Sequence, residues 1–174
     1  MRKRGLSSLT LLAWAREAFE DVLKWKHGVQ FVCLAYQTAM AAHIDGETIH
    51  HWSGIPVMDG DGTAGTRDTV KLSVRCQSLR FILIDEISMI ADQLLGLFES
   101  ALDSAAVRSP HYFVRRDKSR VVMGGYNLLV FGDWWQLPPI PDSYALFLPP
   151  TTNKTKLQET ALDIFWSDGP DSLN

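Results

Sequence analysis

Three continuous apolar runs, Val29 to Ala35, Phe81 to Ile84 and Asn127 to Phe131, are separated by stretches of helical periodicity. Together they predict an α/β layered domain with a parallel central sheet. A strand covered on both faces reads as an unbroken apolar run, whereas a strand with one wet face alternates. None of the three alternates.

The elements follow in order. Leu11, Leu12, Ala15, Ala18, Phe19, Val22 and Leu23 recur at three- and four-residue spacing, the mark of an amphipathic helix. Ser7 or Ser8 suits its N-cap, and Gly28 stands where a C-cap glycine belongs. The first strand is followed by a helical pattern over Thr38 to Ile44 and a turn at Asp45-Gly46. The second strand leads into a helix over Ala91 to Val107, with Asp92 as a candidate cap. Residues 54–69 are rich in Gly, Asp and Thr and read as a loop, and residues 109–125 read as irregular. After Pro149-Pro150 the chain is polar until a short helical pattern at Leu157 to Trp166. The expected organisation is an N-terminal helix in 1–28, the main domain in 29–148, and a polar linker with a short helix in 149–174.

Composition narrows the class. The 174 residues are 46% hydrophobic and carry a net charge of −3, enough apolar content for a core and too much for a disordered chain. No uncharged apolar run approaches the roughly 18 residues of a spanning helix. Cys33 and Cys76 are too few for a disulfide scaffold, so a reducing interior is the default compartment. Net acidity excludes nucleic-acid binding by bulk charge, so any basic surface is local. Arg2-Lys3-Arg4 ahead of an apolar stretch imitates a signal peptide, but Ser7, Ser8 and Thr10 interrupt it and the helical pattern continues beyond. A mitochondrial address stays open against Glu17, Glu20 and Asp21.

Two strand ends carry chemistry. In open α/β sheets, ligands gather outside the carboxyl ends of the strands. Phe81-Ile82-Leu83-Ile84 ends in Asp85-Glu86. One carboxylate there suits Mg²⁺ bridging phosphate oxygens, and its neighbour suits a base for water. The bland alternative is a helix-capping Asp85 and a solvated Glu86. The third strand ends in Gly132-Asp133-Trp134-Trp135-Gln136-Leu137-Pro138-Pro139, an acid and an amide held in a stiff loop. Gln136 suits hydrogen bonding to a terminal phosphate or its attacking water. The alternative is a Pro-rich turn with two core tryptophans.

Leu83-Ile84-Asp85-Glu86-Ile87-Ser88-Met89 resembles motif II (Walker B), and Gly132 to Pro139 resembles motif III, of Pif-type ATP-dependent DNA helicases. Gly46-Glu47-Thr48-Ile49-His50, preceded by Ala41-Ala42, is similar to the end of that family's first DNA-contacting motif. Order and spacing agree over residues 31–140. The resemblance implies a RecA-like P-loop NTPase layered fold, incomplete at both ends, belonging to a superfamily-one motor that moves 5′ to 3′ on single-stranded DNA. It implies that Asp85 holds Mg²⁺, Glu86 activates water, Gln136 senses the γ-phosphate, and Asp133 shares the nucleotide pocket. Thr48 and His50 fall beside the DNA backbone. ATP is the implied substrate, and repair, recombination and telomere upkeep are the implied processes, in the nucleus or alternatively the mitochondrion.

The sequence also departs from that pattern. No lysine follows a glycine, so the phosphate-binding G-x-x-x-x-G-K-[ST] is missing, and Gly60 to Arg67 imitates it without the lysine. The chain is therefore expected to begin just after that loop and to stop before the second motor domain. Tyr36-Gln37-Thr38 stands where the family usually has Pro-Thr-Gly, and Trp134 where it usually has Phe. His50-His51 diverge on a helix and have no third ligand nearby, which argues against a metal site. Five Lys/Arg between Arg108 and Arg120 form a charged loop or a DNA contact. Trp134-Trp135 read as core packing or base stacking. The rival functions are an inactive remnant that binds DNA or a partner, and an unrelated Mg²⁺ phosphohydrolase.

Overall fold

The computed structural model describes residues 7–56, 69–107, 121–133 and 155–166. Gln136, the paired tryptophans, the basic stretch and the Gly60 to Arg67 segment lie outside these residues. The elements are α1 (Ser8–Glu17), β1 (Phe31–Ala35), α2 (Thr38–His43), β2 (Glu47–Thr48), α3 (Ile49–Ser53), α4 (Thr69–Cys76), β3 (Phe81–Ile84), α5 (Asp92–Ala106), β4 (Asn127–Val130) and α6 (Lys156–Trp166). All strand pairs are parallel, in the order β2-β1-β3-β4.

The unbroken apolar runs of β1 and β3 have the cause the sequence suggested; β4 lacks the double cover expected of it, with Asn127 and Val130 exposed and Leu128 and Leu129 half-buried. Val32 and Leu34 of β1, with Ile82 and Ile84 of β3, pack on one face against α3, α4, α5 and α6. Phe31, Cys33, Ala35 and Leu83 pack on the other against Leu12 of α1 and Ala41 of α2. Alternate side chains feed two cores, so every position is apolar. Phe98 of α5 is fully buried and meets Trp52 edge-on at 6.2 Å. Gly96 exists for close approach: a Cβ there would lie 2.2 Å from the Leu157 carbonyl of α6.

Past Glu17 the first helix widens into a π-helical turn, Ala18–Val22, closed by Leu23 N–H to Ala18 O. That turn brings Phe19 onto Trp25, Phe31 and Phe81, with ring centroids 5.4, 5.3 and 5.0 Å away. The cap expectations divide. Ser7 does cap α1, accepting from Thr10 N–H. Gly28 does not end that helix; Lys24 takes the positive φ (55°), and Gly28 (φ 75°) turns the chain into β1. Asp92 is the first residue of α5, preceded by Ala91 as the cap residue, and its carboxylate accepts instead from Gln93 N–H and the Gln158 amide. A 3₁₀ turn, Ile87–Met89, separates β3 from that helix. No helix among the described residues is long and apolar enough to cross a membrane.

Candidate active site at the carboxyl edge of the sheet

Asp85 follows β3 directly, and its N–H continues the ladder to Leu34 O at 2.9 Å. Its side chain is fully buried, and among the described residues neither carboxylate oxygen has a hydrogen-bond partner. That disposes of the capping alternative. Burial, followed by the neighbouring Glu86 charge, pushes the Asp85 carboxyl above its ordinary range. The nearby Ser8 hydroxyl and Glu86 amide offset part of the rise without donating a well-formed hydrogen bond to it.

Glu86 is not solvated either: it is 5% exposed and sits in the left-handed region at φ 49°, ψ 51°. A non-glycine residue there costs about 1–3 kcal/mol and persists only where the surroundings hold it. Two contacts hold it. Ile87 N–H donates to Phe131 O (2.9 Å), and the Ser8 hydroxyl donates to Glu86 Oε1 (2.6 Å). The other oxygen, Oε2, is buried without a partner among the described residues, as is the Ser88 hydroxyl.

The Ile87–Phe131 bond also joins the two strand ends that the sequence singled out. Gly132 allows this, since a Cβ there would sit 3.1 Å from both the Ile87 amide nitrogen and its Cγ2. Asp133, the next residue, is exposed beside the acidic pair's strand. Nothing in the sequence around Ser8 points to its contact with Glu86. Ser8 lies 78 positions from Glu86 in sequence, and its only local signal is a hydroxyl at a helix start.

Thr48 and His50 lie on the same carboxyl edge, beyond β1. Strands are about 4.8 Å apart, which puts Thr48 roughly 10 Å from Asp85 across β1. Thr48 caps α3 by accepting from His51 N–H (3.2 Å), which leaves its own hydrogen free to donate. His50 is half-buried, and burial pushes its pKa down, so its imidazole is uncharged at neutral pH. His51 pairs with Glu47 at 2.7 Å, and Glu47 also meets Arg75 at 3.3 Å. The turn before β2 is clamped from α1: Arg16 donates to Ile44 O (2.7 Å) and to Asp45 Oδ2 (2.9 Å). Gly46 packs so tightly on β1 that a Cβ would meet Cys33 O at 2.3 Å.

No cluster of three or more His, Cys, Asp or Glu with metal-site geometry occurs among the described residues. That excludes a closed protein cage there.

A parallel sheet sandwiched between helices, with an acidic pair at one strand's carboxyl end, is a layered α/β fold of the RecA-like class. Among solved structures, Pif1 helicase from Bacteroides in complex with ADP-AlF3 and ssDNA superposes with a TM-score of 0.53 at 21% identity, over 92% of this chain and 30% of that one. The family model for PIF1-like helicases matches residues 20–145. ATP-dependent DNA helicase Pif1 of Psychrobacter sp. is 36% identical over 106 residues, covering 58% of this chain and 14% of its own length. The corresponding protein of Saccharomyces cerevisiae (strain YJM789) is 31% identical over 125 residues, 68% of this chain and 13% of its own. The chain belongs to the PIF1-like helicase family, and it spans less than a quarter of the length of these two relatives.

Proposed function

We propose that this chain carries the metal- and water-handling side of an ATP-dependent 5′–3′ DNA helicase motor, with single-stranded DNA lying against Thr48 and His50. The observation that carries the reading is the buried Asp85 carboxylate at the carboxyl end of a central strand, with both oxygens unpartnered among the described residues. Such a group is costly unless a cation completes it. The orphaned oxygens of Asp85 and Glu86 and the Ser88 hydroxyl suit Mg²⁺ with nucleotide phosphates. Asp85 would hold that ion, which supplies neutralisation of phosphate charge when bound.

Glu86 keeps one oxygen on Ser8 and has the other available to take a proton from an attacking water. Gln136 is assigned to sensing the terminal phosphate and Asp133 to the nucleotide pocket, as the family resemblance implies. Thr48 donates its hydroxyl hydrogen, and His50 a neutral ring N–H, to phosphate oxygens, contacts that position a strand without reading its sequence. The names of the curated relatives and the ssDNA and ADP-AlF3 complexes of the solved ones support this reading. The processes served are repair, recombination and telomere upkeep, in the nucleus or the mitochondrion.

The test is Mg²⁺-dependent ATP hydrolysis by the chain with and without oligothymidylate. The reading predicts DNA-stimulated turnover that Glu86→Gln abolishes. One rival, a DNA-binding remnant, predicts oligonucleotide binding with no turnover. Hydrolysis indifferent to DNA and surviving Gln136→Ala would instead identify an unrelated phosphohydrolase.

A further inference from the structure

We infer that the groove between α1 and α2 docks a basic amphipathic helix of a partner protein. The groove runs along α1 from Leu9 into the π-helical turn at Glu20, and the end of α2, His43 to Asp45, forms its other wall. Its volume is about 420 Å³ and it opens to solvent. The floor is apolar. Leu12 and Ile44 belong to the core beneath it, while Leu9 is 42% exposed and Ala13 faces water beside it. An enclosed cavity suits a small ligand, whereas an open apolar groove along a helix suits the apolar face of another helix. None of these residues belongs to the acidic pair or to the Thr48–His50 edge, so the groove stands apart from the nucleotide and DNA readings.

Charge at the rim selects the kind of helix. Glu17, Glu20 and Asp45 line it against one arginine, Arg16. That guanidinium is already engaged within the molecule. Its Nε donates to Glu20 Oε1 (3.1 Å), and its terminal nitrogens donate to Ile44 O (2.7 Å) and Asp45 Oδ2 (2.9 Å). An incoming anion therefore finds no open cation on this arginine. Glu17 is exposed and has no ion pair among the described residues. A helix with Lys or Arg flanking its apolar stripe lays their aliphatic stems on the floor and sets their charged heads on these carboxylates. The same Arg16 contacts tie α1 to the α2–β2 turn, so both walls are fixed before a partner arrives and little order remains to be imposed on binding.

The experiment titrates the 174-residue chain into a labelled Leu/Lys amphipathic peptide, beside a Ser/Lys peptide of equal length and charge, by fluorescence anisotropy. The Leu/Lys peptide is expected to bind more tightly, and added salt to weaken it. Glu17→Lys is expected to weaken that binding about five-fold, through one surface attraction lost and one repulsion gained. Glu159→Lys, exposed on α6 across the sheet, changes the net charge equally and should leave the affinity nearly unchanged. Ala13→Phe fills the groove without altering charge and should abolish the preference for the Leu/Lys peptide. Ala13→Gln replaces it if circular dichroism shows the Phe variant unfolded. Equal losses from Glu17→Lys and Glu159→Lys reduce the contact to net charge and overturn the groove. So do equal binding of the two peptides, binding of neither, or an Ala13 variant that is folded and keeps the full preference.

Discussion

Asp85→Asn should stabilise the fold while removing its chemistry. The wild-type carboxylate is fully buried and unpartnered beside Glu86. An uncompensated buried charge costs several kcal/mol even after relaxation. Part of that cost is avoided by the raised pKa, and asparagine still buries polar atoms at about 1–3 kcal/mol when unsatisfied. The net gain at neutral pH is about 1–3 kcal/mol, or roughly 2–10 °C in Tm for a chain of this size. The sign with pH follows from the same shift. A carboxyl whose folded pKa is raised binds protons more tightly when folded. Its contribution to stability is therefore largest below the unfolded value of 3.8 and is lost as pH rises through the raised folded pKa. Thermal melts by circular dichroism in EDTA, from pH 5 to 8, measure both effects. A Tm for Asp85→Asn at or below wild type at pH 7, or a wild-type Tm advantage that grows with pH, would show that Asp85 is compensated by something the geometry does not contain.

Other outcomes follow from single contacts. Ser8→Ala removes the 2.6 Å donor to Glu86 and should cost about 1.5–3 kcal/mol in urea unfolding, the range for a hydrogen bond to a charged group. Gly46→Ala drives a methyl group to 2.3 Å from the Cys33 carbonyl and should cost about 1–3 kcal/mol or more, with single-strand affinity falling in the same variant. Thr48→Ala removes the α3 cap and should cost about 1 kcal/mol, read as a shift of the urea midpoint. His27 Nε2 accepts from Cys33 N–H at 3.1 Å, and burial, with Arg16 nearby, lowers its pKa. Stability from His27 is therefore intact above the unfolded value of 6.5 and is lost as pH falls below it. His27→Gln should flatten that limb of the pH–Tm curve, and an unaltered limb would assign it to other groups.

Much of the fold was legible because burial on both faces leaves an unmistakable trace. Val29 to Ala35 and Phe81 to Ile84 announced β1 and β3, and the double-sided cores explain why. The α4 helix was not legible. Leu72 and Cys76 point into the core, but Val70 and Val74 on the same helix are 62% and 61% exposed, which blurs the periodicity. Two residues of β2 are too few to show any pattern. Local cap chemistry succeeded at Ser7 and failed at Gly28 and Asp92, where a π-turn and a contact with α6 took precedence. At the site, Asp85 and Glu86 stood out because two acids end an apolar strand. The Ser8 contact, the left-handed Glu86 and the α1–α2 groove depend on tertiary juxtaposition, which spacing along the chain does not encode.

The central claim, that the acidic pair receives a metal-bound nucleotide, is tested most directly by isothermal titration of ATP into the chain with Mg²⁺ and with EDTA. Binding is expected to be weak, to need Mg²⁺ and to disappear in Asp85→Asn, while that variant melts at or above the wild-type temperature. Metal-independent binding, or equal binding by the folded Asp85→Asn variant, would contradict it.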